Sequence, residues 1–229
     1  MSMIGTSVVR REDPELLTVG GSYVDDLAPP DAVHATFVRS DMAHAIVNGV
    51  DTAECAAMPG VIGVFTAADL GLQPVKPGMP MFNQVMTRTH LATDRVRYVG
   101  EPVAVVVTTT REAGVDAAEL VFIDYEPLDA VVDMKEAVAG EVILFPEAGT
   151  NTVMEIPSSS DGDIFADVEV RVDLAFRNHR LTAAPIEPRS AVARWDADPE
   201  RGGALRLTQW SSTQFPHGTR DGLAAALGV

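Results

Sequence analysis

Short stretches of apolar residues, most of them alternating with polar ones, recur along the chain and are typical of β-strands. They occupy residues 33–38, 43–50, 61–66, 96–107, 121–125, 167–176, 191–195 and 204–210. Helices are predicted only in short segments between them, at residues 53–58, 109–120, 133–139 and 219–227. Strands that alternate with short helices in this way predict an α+β fold.

Turn and capping residues mark the ends of several of these elements. Gly100-Glu101-Pro102 interrupts the strongest strand signal and predicts a bend or bulge, because proline lacks the backbone donor that a strand needs. Thr109 and Glu112 have the spacing of a capping box, so we expect Thr109 to cap the helix that follows. Residues 196–203 resemble a hairpin loop, and Gly228 is placed to end the last helix.

The charge balance excludes some classes of partner. The 229-residue chain carries 17 Lys and Arg against 33 Asp and Glu, which gives a net charge of −16. Such a charge repels phosphate groups and argues against nucleic acid or an anionic membrane as a partner. No apolar run is long enough to cross a bilayer, and the first 17 residues lack the apolar core of a signal peptide. We therefore expect a cytoplasmic protein.

Candidate chemistry is sparse in this sequence. Cys55 is the single cysteine, which excludes an intrachain disulfide, a Cys-ligated iron–sulfur cluster and a multi-Cys zinc site. Its position in a predicted helix favours a small core residue over a nucleophile. The five histidines lack metal-motif spacing, and neither a Gly-x-Ser-x-Gly motif nor a glycine-rich phosphate loop is present.

Two polar segments near the C-terminus are more informative. In Glu187-Pro188-Arg189 a proline holds a carboxylate and a guanidinium at a rigid corner, either as a structural ion pair or as ligand contacts. Gln214 follows a predicted strand, next to Thr213, which could cap a helix. A carboxamide at such a junction can offer two donors and an acceptor to a ligand, although an ordinary turn glutamine fits the pattern as well.

A series of short motifs runs through residues 5–229. In chain order they are REDPELLT (11–18), GSYVDD (21–26), HATFVRS (34–40), AHA (43–45), PGV (59–61), VRYVGEPVA (96–104), DYEPL (124–128), NHR (178–180), EPR (187–189) and STQ (212–214). Their order and spacing resemble the molybdenum-binding large subunit of the xanthine dehydrogenase, aldehyde oxidase and aerobic carbon monoxide dehydrogenase family. Two departures are Asp41, where the family usually has proline, and His179, where glutamine is common.

The resemblance implies a specific domain order. It indicates an α/β-hammerhead domain followed by an α+β molybdenum-cofactor-binding domain that is incomplete within these 229 residues. We expect an N-terminal extension at 1–19, the hammerhead domain at 20–135, a linker at 136–165 and the start of the cofactor-binding domain at 166–229. The family's glycine-rich stretch and catalytic glutamate lie further along a longer chain and are absent from this sequence.

The resemblance also implies a cofactor and one site residue. In the family, the glutamine of Ser-Thr-Gln hydrogen-bonds the apical oxygen ligand of molybdenum, and the matching residue here is Gln214. Gln214 is therefore the expected catalytic and cofactor-binding residue, and no residue is expected to ligate the metal. The complete enzyme would carry molybdopterin, as the cytosine dinucleotide, with FAD and [2Fe–2S] clusters on partner subunits. None of these is expected to bind this chain alone.

The implied function is that of a molybdenum hydroxylase, which oxidises an aldehyde, an N-heterocycle or a CO-type substrate with water as the oxygen source. We expect the chain to be the N-terminal portion of the large subunit and to be inactive alone. Its implied partners are the remaining molybdenum-subunit segment, an iron–sulfur small subunit and an FAD medium subunit, assembled as a dimer of heterotrimers. The alternative is a non-catalytic module that docks the iron–sulfur and FAD subunits.

Overall fold

The computed structural model of the chain describes residues 4–157 and 162–229. It contains two compact units, which we call the central unit (residues 32–174) and the terminal unit (residues up to 31 together with 175–229). The helices are α1 (Asp13–Thr18), α2 (Ala53–Ala57), α3 (Ala67–Leu70), α4 (Arg111–Ala118), α5 (Met134–Ala139) and α6 (Pro216–Leu227). The strands are β1 (His34–Arg39), β2 (Ala45–Asp51), β3 (Val61–Thr66), β4 (Arg95–Val96), β5 (Pro102–Thr108), β6 (Phe122–Pro127), β7 (Ala191–Asp198) and β8 (Ala204–Ser211).

Short 3-10 helices at Val24–Leu27, Pro146–Ala148 and Pro199–Arg201 complete the set. Among the described residues, none of the helices combines the length and the hydrophobicity that crossing a bilayer requires. The mixed strand and helix content agrees with the predicted α+β class.

Two three-stranded antiparallel sheets form the central unit. Their strand orders are β1–β5–β3 and β4–β2–β6. In the first sheet, Val105 of β5 lies opposite Phe37 of β1 on one side and Phe65 of β3 on the other. In the second sheet, β2 lies between β4 and β6, with Val47 opposite Tyr125.

The central strand β5 contributes to both hydrophobic cores of this unit. Its side chains alternate between two faces, so Ala104 and Val106 enter one cluster whereas Val103 enters the other. The first cluster also contains Cys55, which is completely buried and confirms the prediction of a core cysteine. Burial raises the pKa of the Cys55 thiol. One apolar strand therefore stabilises both faces of the central unit.

The Gly100-Glu101-Pro102 break separates strands of different sheets. The register of β5 against β1 also shifts directly after it, with Arg39 opposite Pro102 and Val38 opposite Ala104, which agrees with the predicted bulge. β4 ends at Val96 and β5 begins at Pro102. Ser40 N donates to Glu101 O at 2.8 Å, and Gly100 N donates to Ser40 O at 2.7 Å. Glu101 is itself buried and accepts a hydrogen bond from the backbone of Arg97. Desolvation of this carboxyl raises its pKa, although the backbone donors act in the opposite direction.

The predicted cap of α4 is wrong by one residue. Thr110, and not Thr109, accepts the hydrogen bond from Ala113 N, at 3.2 Å. The physical reason is that Thr109, the first residue after β5, is tied to the residue before β3, because its backbone N donates to Gly60 O at 2.9 Å. The cap therefore forms only at the next threonine along the chain.

The segment after α5 is tied to the central unit by side chains. Asn151 Nδ2 donates to Ala137 O and Val142 O, and its Oδ1 accepts from Leu144 N. Arg97 Nε donates to Leu144 O at 2.9 Å. Part of the predicted linker at 136–165 is thus ordered by specific hydrogen bonds, while the three boundaries between the four predicted segments remain predictions.

The terminal unit is built on the β7–β8 hairpin. The strands pair antiparallel from Ala191 opposite Ser211 to Asp198 opposite Ala204, which confirms both predicted strands. Asp198 is buried, accepts a hydrogen bond from Glu200 N at 3.0 Å and pairs with Arg206 at 3.4 Å. These contacts close the loop at the end of the hairpin.

The helix α6 ends where the sequence predicts. Gly228 adopts the left-handed conformation that glycine tolerates, with a φ of 70°, and caps the helix. The beginning of α6 is earlier than predicted, at Pro216, because proline suits the first helical position.

The strand predicted at 167–176 is wrong. Within residues 162–190 the structure contains no strand or helix, and residues 167–176 are all exposed. An alternating pattern becomes a strand only when a neighbouring strand accepts its backbone hydrogen bonds. The described part of the chain supplies no such neighbour at this segment.

The packing of α4 on β1 predicts that no residue larger than glycine is tolerated at position 114. A β-carbon at Gly114 would lie 2.3 Å from Thr36 Oγ1 and 3.0 Å from Thr108 Oγ1. We expect Gly114→Ala to lower the stability of the chain by about 1–3 kcal/mol in urea denaturation, because overpacking forces the helix away from the sheet.

Gly222 in α6 provides the matched control, since a β-carbon there meets nothing within 4 Å. Gly222→Ala should leave stability unchanged or raise it by about 0.5–1 kcal/mol. A Gly114→Ala variant as stable as the unsubstituted chain would contradict the packing argument.

Candidate functional site

The bend between β8 and α6 holds Gln214 in a turn that is fixed on both sides. Ser190 N donates to Ser212 Oγ at 3.0 Å, and Ser212 N donates to Ser190 O at 3.1 Å, so the hairpin pairing extends past β8. On the other side, Phe215 N donates to Thr213 Oγ at 3.1 Å. The backbone around Gln214 is therefore positioned by its neighbours and not by its own side chain.

Thr213 contacts the first turn of α6 without capping it in the predicted way. Phe215 occupies the position before the helix, and its carbonyl accepts from Thr219 Oγ at 3.0 Å. The hydroxyls of Thr213 and Thr219 lie 3.1 Å apart. A pair of threonines thus connects the turn to the helix.

The side chain of Gln214 is exposed. Among residues 4–157 and 162–229 it makes no hydrogen bond, so both amide donors and the carbonyl oxygen are available to a ligand. The turn therefore presents an exposed carboxamide without a partner among the described residues.

A groove of about 910 Å³ lies in the terminal unit beside this turn. Its walls combine apolar and polar side chains, and its size is that of a small-molecule site. The apolar residues that line it include Trp195, Leu205, Leu207 and Trp210 of the hairpin, Leu223, Ala224 and Leu227 of α6, the C-terminal Val229, and Val24 and Leu27 near the N-terminus. Thr213 and Pro216 on either side of Gln214 also line the groove, whereas Gln214 does not.

Glu187 holds one wall of the groove. Its Oε1 accepts a hydrogen bond from Val24 N at 2.8 Å, and Val24 is buried. The hypothesis of an ion pair with Arg189 is wrong, since within the described residues no such pair forms. A carboxylate that accepts from a backbone N–H forms a strong, charge-assisted bond, so Glu187 fixes the N-terminal 3-10 helix against the groove.

Two arginines of the hairpin strands are paired with carboxylates. Arg206, which lines the groove, pairs with Asp198, and Arg194 pairs with Asp196 at 2.7 Å. The Arg194 guanidinium also lies 5.5 Å from the centre of the Trp210 ring. In the part of the chain that the structure describes, no group of three or more His, Cys, Asp or Glu side chains is placed to hold a metal ion.

The sequence reasoning missed the two tryptophans as groove-lining residues. Trp195 and Trp210 read as ordinary inward-facing strand residues in an alternating pattern. The cross-strand neighbours of the two tryptophans follow only from the register of the hairpin. In it, Trp195 lies opposite Leu207 and Trp210 lies opposite Val192. Both tryptophans of the chain lie in one predicted hairpin. This clustering is the signal that could have indicated the groove.

Two family matches cover most of the chain. Residues 18–129 match the aldehyde oxidase and xanthine dehydrogenase a/b hammerhead domain, and residues 144–229 match the molybdopterin cofactor-binding domain. The two matches thus define a chain that carries a hammerhead domain and a molybdopterin cofactor-binding domain. The chain belongs to the aldehyde oxidase and xanthine dehydrogenase family, within the molybdenum-containing large subunit, which confirms the resemblance and the fold class.

Individual relatives agree with this assignment. The nicotine 6-hydroxylase large subunit of Paenarthrobacter nicotinovorans is 37% identical over 99% of this chain and 28% of its own length. The carbon monoxide dehydrogenase large chain of Afipia carboxidovorans is 32% identical over 99% of this chain and 29% of its own length. The crystal structure of quinoline 2-oxidoreductase from Pseudomonas putida 86 superposes with a TM-score of 0.79 at 33% identity, over 100% of this chain and 29% of that chain. The chain therefore spans less than a third of the length of these relatives.

The bond between Glu187 and Val24 can be tested by amide hydrogen exchange. Glu187→Ala removes the acceptor, so the Val24 amide should exchange at least about tenfold faster, as expected when a charge-assisted hydrogen bond is lost. Glu187→Gln keeps an acceptor oxygen and should have a smaller effect. Equal exchange at Val24 in the alanine variant and the unsubstituted chain would show that Glu187 does not hold this wall.

Proposed function

We propose that the chain is the N-terminal portion of the large subunit of a molybdenum hydroxylase, which oxidatively hydroxylates its substrate with water as the oxygen source. The observation that carries the proposal is the free carboxamide of Gln214 in a rigid turn of the terminal unit. Gln214 lies within the range that matches the molybdopterin cofactor-binding domain. The fold supports this function because the same chain also matches the hammerhead domain of these enzymes.

The residues of the turn fit a role beside the molybdenum cofactor. Gln214 has unused donors, and the hydrogen bonds of Ser212 and Thr213 keep its backbone in place without engaging its side chain. An amide donor at such a position stabilises negative charge on a bound group without ligating a metal. When bound, the cofactor supplies the redox chemistry, and this chain supplies orientation and one hydrogen bond.

Further parts of the proposal concern the complete enzyme. We take the cofactor to be molybdopterin cytosine dinucleotide, with [2Fe–2S] clusters on a small subunit and FAD on a medium subunit, in a cytoplasmic dimer of heterotrimers. Support comes from relatives named as a large subunit, a large chain and a subunit gamma of a dehydrogenase complex, which are components of larger assemblies. The single buried Cys55 is compatible with a reducing compartment.

The chain alone is proposed to be inactive, because it spans only 28–29% of the length of these relatives. Nicotine and quinoline, the compounds in the names of two relatives, are both N-heteroaromatic. They are therefore the first substrates to test with the complete enzyme.

The role of Gln214 can be measured in the complete, molybdenum-loaded enzyme. We expect Gln214→Ala to lower kcat by about tenfold or more at unchanged molybdenum content, since one aligned donor is lost. The isosteric Gln214→Glu variant, which replaces the amide donor by an acceptor, should be impaired as well.

His217, an exposed residue in the first turn of α6, gives the matched control. His217→Ala alters the same surface without touching the carboxamide and should retain the rate. If both Gln214 variants turned over at the unsubstituted rate with full molybdenum content, Gln214 would not be part of the site.

A further inference from the structure

Thr219, in the first turn of α6, extends its side chain to the turn that carries Gln214. Its hydroxyl oxygen lies 3.0 Å from Phe215 O and 3.1 Å from Thr213 Oγ. Thr213 and Phe215 are the two chain neighbours of Gln214, and Phe215 N donates to Thr213 Oγ at 3.1 Å. One hydroxyl of the helix therefore contacts both residues that flank the carboxamide.

The direction of each bond follows from the protons available. Phe215 O can only accept, so the Thr219 hydroxyl donates its single proton to it. Thr219 Oγ then accepts from the Thr213 hydroxyl, because Thr213 Oγ already accepts from Phe215 N and still has its own proton to donate. The bonds close a hydrogen-bond cycle of Phe215, Thr213 and Thr219. Every donor points the same way round the cycle, an arrangement in which the bonds strengthen one another.

This cycle goes beyond the usual bond of a helical threonine. A threonine hydroxyl often donates to the carbonyl four residues earlier, and Thr18 in α1 does so to Pro14 O at 2.6 Å. Thr219 makes the same kind of bond to Phe215 O and also contacts a second hydroxyl, that of Thr213, outside the helix. The contact with Thr213 ties the turn to the helix.

The hydroxyl can be removed without disturbing the start of α6. Phe215 O also accepts from Thr219 N at 2.9 Å, so the carbonyl keeps a donor when the hydroxyl is lost. On the hairpin side, the pairing of Ser190 with Ser212 holds the other end of the turn. Loss of the Thr219 hydroxyl therefore removes the contact to Thr213 and leaves the remaining supports of the turn in place.

We propose that Thr219 is a positioning residue for Gln214, which acts through Thr213 to hold the carboxamide in one arrangement beside the group that it contacts. The inference rests on the proposed function and deepens it, because it names a helix residue on which the placement of Gln214 depends. Small displacements of a group that acts on a reacting centre lower the rate strongly, so a fixed turn favours turnover.

Kinetics of the complete, molybdenum-loaded enzyme test the proposal first. Thr219→Val removes the hydroxyl and keeps the branched shape, and it should lower kcat by about threefold or more because the carboxamide is held less firmly. KM should change by less than about twofold, and molybdenum content should stay the same. Thr219→Ser restores the hydroxyl and should return kcat to within about twofold of the unsubstituted enzyme. A serine variant as slow as the valine variant would rule out a role for the hydroxyl.

Backbone ¹⁵N relaxation of the 229-residue chain gives a readout that is independent of turnover. The order parameter of the Gln214 amide should lie near the value of rigid backbone, about 0.85. In Thr219→Val it should fall toward the value of a flexible loop, about 0.6, and in Thr219→Ser it should not. An unchanged order parameter in the valine variant would overturn the proposal.

Thr18 supplies the matched control, because it makes the same bond to the carbonyl four residues earlier without a second hydroxyl partner among the described residues. Thr18→Val should leave both kcat and the order parameter of Gln214 unchanged. If Thr18→Val and Thr219→Val lowered kcat equally, the loss would reflect a weakened helix, and the special role of Thr219 would be refuted.

A double-mutant cycle with Gln214→Ala shows whether Thr219 acts through the carboxamide. In the Gln214→Ala enzyme, Thr219→Val should lower kcat no further, whereas additive losses would contradict the proposal. The two hypotheses also fail differently. Unchanged kcat in Gln214→Ala refutes the proposed function, even if Thr219→Val loosens the turn. An unchanged turn in Thr219→Val, with Gln214→Ala impaired, refutes only the role of Thr219.

Discussion

A two-stranded hairpin and one helix cannot enclose a hydrophobic core, and this constraint governs the terminal unit. Among its described residues only Val24 and Asp198 are buried, whereas the central unit holds two clusters built on β5. Isolated two-stranded sheets are marginal in water and need a further layer to become stable. The open groove beside α6 follows from this constraint.

The same constraint explains why the candidate site is partial. The turn at Gln214 is fully organised by the hydrogen bonds of Ser190, Ser212 and Thr213, so its geometry does not depend on a ligand. The groove next to it is fixed by the bond between Glu187 and Val24. This chain therefore provides a groove with one fixed wall and, beside it, a turn with a free amide, and under the proposed function the remaining contacts to a cofactor come from other polypeptide. Preorganisation of this kind is what catalysis requires of residues beside a reactive group.

Much of the fold could be predicted from the sequence. A local hydrophobic pattern was sufficient to locate a strand or helix wherever the neighbouring element that it packs against lies within this chain. β3 lies at the predicted residues, and β7, β8 and α5 lie within a few residues of their predicted positions. The pattern at 168–176 is as regular as these but forms no strand, since a strand depends on a neighbour that periodicity cannot supply. The cap of α4 moved from Thr109 to Thr110 because a tertiary hydrogen bond to Gly60 holds the earlier residue. Gln214 could be singled out only through the family motif, because nothing in its local sequence separates it from an ordinary turn glutamine.

Molybdenum content is the most direct test of the central claim, that these residues form one wall of a cofactor site that other polypeptide completes. The isolated chain and the complete large subunit are expressed in cells that make the cofactor, purified, and compared by metal analysis. The account predicts about one molybdenum per complete subunit and essentially none in the folded, isolated chain. Stoichiometric molybdenum in the isolated chain would contradict it.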